Sequence, residues 1–227
     1  MKEKNFPIIF DLDGTLFDCK ELTNLTFPKV LETLKQKYRD EIQINFATNY
    51  EQYLGMVTED IFAELLPNAG KELIQEAALL LVDAEFEYIP KSGKLFPHAE
   101  ETLKELHQAG YPLFIASNGS KEYVHKVLEV FSIEGYFKGI YSAGGQGTES
   151  KVDLVRILLD AYSFMGKGVI AGDRLSDIEA GRKNHLTTIG CLYGFGDVKE
   201  TYHADVKINR IEDIIPVIKT LSEKGSK

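Results

Sequence analysis

Short apolar runs along this chain alternate with longer stretches in which apolar residues recur every three or four positions. The runs at 8–11, 112–117, 139–142, 168–173 and 187–191, with a weaker one at 204–208, predict strands buried on both faces. Helices are predicted between them. Residues 99–109 carry Leu103 and Leu106 inward and stop at Gly110, a good residue for leaving a helix. Residues 121–131 follow Ser120 as N-cap, and 151–162 follow Ser150 with Asp153 three positions on, an acidic variant of the capping box. Ser176 is the expected cap of 177–184, and 211–221 closes the chain with Pro216 counting against regularity. Strands and helices in strict alternation predict a parallel α/β sheet.

One region breaks the alternation. Residues 18–92 contain no convincing strand. Residues 22–37 are amphipathic, with Pro28 predicting a late start or a kink, and 58–66 read as a short helix opening at Thr58. Residues 71–88 place Leu73, Ile74, Ala77, Leu80, Leu81 and Ala84 on one side. A structureless loop of this length is rare in a compact domain, so a second, helical domain at 18–92 is expected inside a core formed by 1–17 and 93–227, with hinges at 17–20 and 90–95.

Composition narrows the class. The chain has 227 residues, 44% of them hydrophobic, and a formal net charge of -9. That charge argues against nucleic acid and anionic membranes as partners but leaves room for a phosphorylated metabolite, because one bound cation and a few basic groups reverse the field locally. No apolar run approaches the ~20 residues of a membrane span, and the first residues lack a signal-peptide core. Cys19 and Cys191 are the two cysteines and form no metal-type pair, so a reducing, cytoplasmic setting is expected.

Four short segments carry candidate chemistry, each at a strand end or a helix start. In Asp11-Leu12-Asp13-Gly14-Thr15, acids two apart in an extended segment face one side, and crowded carboxylates need a cation or a shared proton. The plainer reading is an Asp-Gly turn. Ser117-Asn118-Gly119-Ser120 offers a hydroxyl, an amide and backbone N–H groups suited to phosphoryl oxygens, or simply a capped turn. Lys151 begins a helix, where the dipole disfavours an ammonium unless an anion lies nearby; alternatively it is a surface lysine. Gly172-Asp173-Arg174-Leu175-Ser176-Asp177 puts two acids four apart at a turn, able to meet one cation or merely to favour the helix dipole.

In this order the four segments resemble the motifs of the haloacid dehalogenase superfamily: Asp-x-Asp-Gly-Thr, then Ser with a following Asn, then Lys, then Gly-Asp-x-x-x-Asp. The resemblance covers the whole chain, including the insertion, which is similar to a helical cap. It implies a Rossmann-like parallel sheet of strand order 3-2-1-4-5 with an all-helical cap placed after the first strand. It implies that Asp11 attacks phosphorus, that Asp13 is the acid and base, and that Thr15, Ser117, Asn118, Gly119 and Lys151 bind the phosphoryl group. Mg²⁺ would be held by Asp11, Asp13 through its carbonyl and Asp173, with Asp177 helping through water.

Within the superfamily the chain is most similar to the phosphoglycolate phosphatase and β-phosphoglucomutase group. Thr15-Leu16 after Gly14, and Glu59 in place of a basic loop residue, favour a phosphatase of small phosphorylated metabolites; Val152 departs from the Lys-Pro common at the third motif. Asn49, Tyr50, Tyr53, Thr58 and Glu59 are candidates to touch the leaving group, with surface or cap-core positions as the alternative. Cys19 near the first hinge is a small buried filler or a redox-sensitive brake, His98 is structural, and 193–196 is a loop at the core rim. A primed phosphomutase and a receiver-like phospho-acceptor remain alternatives, although an acid/base beside the nucleophile speeds phosphoryl loss. Either a monomer or a homodimer is expected.

Overall fold

A computed structural model of the chain describes residues 3–148, 150–164 and 167–224. Its central sheet contains β1 (Ile8–Phe10), β4 (Leu113–Ser117), β5 (Phe137–Ser142), β6 (Val169–Gly172), β7 (Thr187–Cys191) and β8 (Val206–Ile208), while β2 (Phe17–Asp18) and β3 (Lys94–Leu95) lie outside it. The sheet order is β5-β4-β1-β6-β7-β8 and every pairing is parallel. In order of the sheet strands along the chain this is 3-2-1-4-5-6. The implied order of five strands is therefore one short: the weak run near 204–208 joins the edge beside β7.

The period-two geometry of strands sorts the core. Ile8 and Phe10 of β1, with Leu113, Ile115, Val169 and Ala171, face one side, where Leu103 and Leu106 of α4 (Ala99–Gln108), Val124 and Val127 of α5 (Lys121–Val130) and Ile214 and Ile218 of α9 (Ile214–Lys224) cover them. Ile9, Phe114, Ala116 and Ile170 face the other side, under Leu154 and Leu158 of α7 (Lys151–Ala161) and Ala180 of α8 (Leu175–Lys183). A four-residue turn of helix, α6 (Ala143–Gln146), which the pattern did not predict, lies between β5 and α7.

A separate apolar cluster holds residues 19–92 together. It joins Phe27, Val30, Leu31 and Leu34 of α1 (Lys20–Tyr38), Ile61 and Phe62 of α2 (Thr58–Leu65) and Ala77 and Leu81 of α3 (Lys71–Ser92). Two expectations are corrected here. Pro28 does not delay α1, which opens at Lys20, and α3 runs through Pro90 to Ser92, because burial of an apolar face outweighs a local breaker. The expected hinge at 90–95 is thus half helix and half strand, with β2 and β3 pairing antiparallel as Phe17↔Leu95 and Asp18↔Lys94 where the chain crosses between the helices and the sheet. Ser120 and Ser150 cap their helices, whereas α8 begins before Ser176. There Asp177 Oδ2 accepts from the Arg174 N–H.

Candidate active site

The carboxyl end of β1 places Asp11 in the sheet's central crevice, 4% exposed. Opposite, Lys151 at the start of α7 turns inward, 6% exposed, and its Nζ donates to Asp11 Oδ1 at 2.7 Å and to Asp177 Oδ1 at 2.5 Å. Two carboxylates thus repair the unfavourable placement of an ammonium at a helix N-terminus. Asp177 is fully buried in the first turn of α8, and Asp173 follows β6 at 1% exposure.

Asp173 is held from one side only. Its Oδ2 accepts from the N–H groups of Phe195 and Gly196 at 2.7 and 3.0 Å, whereas its Oδ1 is buried with no hydrogen-bond partner. The loop at 193–196 therefore positions an acid as well as closing the rim. Gly14, at φ +83°, brings backbone against the Asp173 carboxylate where a side chain would collide. Oxygens of Asp11, Asp173 and Asp177 lie within 4.8 Å of one another. An all-carboxylate set with one orphaned oxygen fits a hard divalent cation. The electrostatics agree. Burial pushes Asp11 well above the usual carboxylate range, with Lys151 opposing and Asp177 and Asp173 adding to the rise. Burial and then Asp177 push Asp173 up to about 6, and burial raises Asp13.

Asp13 is oriented by Tyr123, whose hydroxyl donates to its Oδ1 at 2.6 Å. Ser117 ends β4, and its Oγ accepts from the Gly119 N–H at 3.1 Å. Asn118 Nδ2 donates to Gly55 O at 3.1 Å and Arg174 Nη2 donates to Leu54 O, so two side chains at the sheet's edge grip one loop of the helical segment. Between sheet and helices lies a cavity of about 500 Å³. Asp11, Asp13, Ser117, Asn118, Gly119 and Lys151 form its floor.

The family model of haloacid dehalogenase-like hydrolases matches residues 8–191, which include all of these floor residues. The chain belongs to this family. The hydrolase is 26% identical over 217 residues to a phosphoglycolate phosphatase of Aquifex aeolicus (strain VF5), covering 93% of this chain and 95% of that one. It is 26% identical over 199 residues to a 5'-nucleotidase of Pseudomonas aeruginosa, covering 85% of each. Its fold is similar to that of CbbY from Rhodobacter sphaeroides in complex with phosphate, at a TM-score of 0.77 and 19% identity over 92% of this chain and 96% of that one.

Other expected site residues divide. Tyr53, Thr58 and Glu59 of the hydrolase line the cavity. Asn49 does not: it is exposed and its Oδ1 accepts from the Glu51 N–H. Tyr50 stacks on Phe27 inside the helical cluster, centroids 5.8 Å apart. Thr15 is fully buried outside the cavity lining; its carbonyl accepts from Tyr193 and its Oγ1 has no partner. Sequence reasoning missed Tyr123, Arg174 and Glu85, all of which line the cavity. Glu85 did leave a signal, an acid four residues after Leu81 on the apolar side of α3.

Proposed function

We propose that this phosphatase hydrolyses small phosphomonoesters with Mg²⁺, through an aspartyl-phosphate on Asp11. The observation that carries the reading is the meeting of Asp11, Asp173, Asp177 and Lys151 at and just beneath the floor of the cavity between sheet and helices. Asp11 attacks phosphorus and the bond to the leaving oxygen breaks, with Asp13 delivering a proton to that oxygen. Asp13 then takes a proton from water, which attacks the aspartyl-phosphate, frees phosphate and restores Asp11. Ser117, Asn118, Gly119 and Lys151 orient the phosphoryl oxygens. Asp11, Asp173, Asp177 and the Asp13 carbonyl would hold the cation, which neutralises the converging carboxylates and draws charge from those oxygens.

The helical segment 18–92 acts as the cap, excluding water and reading the leaving group. The bond from Tyr123 to Asp13 beside Asp11 favours turnover over a lasting phospho-acceptor. The test is phosphate release from a panel of phosphoesters with and without Mg²⁺. Multiple turnover that needs Mg²⁺ and disappears in Asp11→Asn is the expected result; release that survives in Asp11→Asn would overturn the reading.

A further inference from the structure

Above the phosphoryl floor, the cavity is roofed by residues of the helical segment. Phe27, Met56, Ile61, Ala78, Leu81 and Val82 make most of this roof apolar. No lysine, arginine or histidine among the described residues lines it. The cavity's two cations belong to the core and are already engaged, Lys151 with Asp11 and Asp177 and Arg174 with Glu200 and Leu54 O. Against them stand the carboxylates of Asp11, Asp13, Glu59, Asp60 and Glu85. Glu59 and Asp60 are exposed in the first turn of α2, where they favour the helix dipole.

Glu85 is different. It projects from the middle of α3 beside Leu81 and Val82 and makes no hydrogen bond or ion pair with any described residue. Glu85 is part-exposed, and desolvation at the cavity wall, and then Asp13, push its carboxyl well above the usual range, as expected of an acid without a counter-charge. An unpaired carboxyl set in a largely apolar roof gains from a ligand that supplies the partner.

We propose that the cavity selects phosphoesters whose alcohol portion carries an amino group paired with Glu85 and no second anion. This deepens the phosphatase reading and rests on it. An ammonium on the leaving group gives Glu85 the hydrogen bond and the charge it lacks. A carboxylate or second phosphate there would add an anion to a cavity that already holds Asp11, Asp13, Glu59, Asp60 and Glu85 with no roof cation to compensate, so this chain departs from the substrate named for its phosphoglycolate phosphatase relatives.

The test compares kcat/KM for 2-aminoethyl phosphate, 2-hydroxyethyl phosphate and phosphoglycolate, two-carbon esters that differ in the terminal group, with p-nitrophenyl phosphate as a general phosphatase probe. The amino ester should exceed phosphoglycolate by about 100-fold or more, with the hydroxyl ester between them. In Glu85→Gln the amino-to-carboxylate ratio should collapse toward unity, and in Glu85→Lys it should invert; a ratio within one variant is independent of how much of it folds. Turnover of p-nitrophenyl phosphate with phosphoglycolate preferred, or a ratio unmoved in Glu85→Gln, would overturn this inference and leave the phosphatase reading standing. Failure to turn over any of the four would overturn both.

Discussion

Tyr123 donates its hydroxyl to Asp13 Oδ1 at 2.6 Å, tying the first turn of α5 to the loop after β1. The bond fixes one carboxylate oxygen, and the Cys19 thiol adds a hydrogen bond to the same carboxylate. It also stabilises the ionised form of an acid whose burial favours the neutral form. Removing the hydroxyl therefore raises the Asp13 pKa further.

Tyr123→Phe should lower kcat by about 10- to 100-fold through loss of orientation. In the proposed mechanism Asp13 carries its proton in the first step, so the high-pH limb of the kcat/KM profile should move to higher pH. A profile that keeps its shape while the rate falls would make Tyr123 a packing residue only.

Lys151 lies between Asp11 and Asp177 with all three side chains almost fully buried. Lys151→Met would leave two facing carboxylates without their cation, and in metal-free buffer should cost about 3–5 kcal/mol in urea unfolding. Adding Mg²⁺ should recover part of that loss. Equal stability with and without the lysine would show that the triad contributes nothing to the fold.

The proposed cation can be read out without activity through Asp173. Wild-type protein stripped with EDTA should melt at a higher temperature once Mg²⁺ is added, with a gain of about 2.7 kcal/mol at 100 times the dissociation constant. Asp173→Asn keeps an acceptor for the Phe195 and Gly196 N–H groups but loses the charge, so it should fold and show little of that shift. A full shift in the variant would place the cation elsewhere.

Both thiols should be silent in the native state. Burial and the neighbouring Asp13 push the Cys19 thiol up, and burial does the same to Cys191. Reaction with a disulfide reagent at pH 8 should give no fast-reacting thiol until denaturant releases both. Rapid native labelling of Cys19 would revive the redox brake.

The parallel sheet was legible because its strands are apolar on both faces, and the odd and even residues of β1 divide between the two flanking layers. The floor was legible because each member sits at a strand end or helix start that local sequence marks. Pro28 and Pro90 misled because breaker rules are local while the face that holds α1 and α3 is assembled from distant residues. Tyr123 and Glu85 were missed for a related reason: their significance lies in what faces them across the cavity, and Tyr123 is 110 positions from Asp13. Tyr50 and Tyr53, three apart, looked alike in sequence, and both join the helical cluster, but Tyr53 alone of the two also lines the cavity.

The paired crossings at Phe17↔Leu95 and Asp18↔Lys94 bring the two ends of the helical segment side by side on adjacent strands. The strand pairing of β1 with β4 and β6 lies wholly outside this segment, so a replacement that refills the places of Cys19, Leu22, Leu54 and Ile89 in the main core leaves that register intact. On the proposed reading, the floor that reacts and the roof that reads the leaving group are separable parts. A roof grafted from a relative between residues 18 and 94 should bring its own selectivity to an unchanged floor.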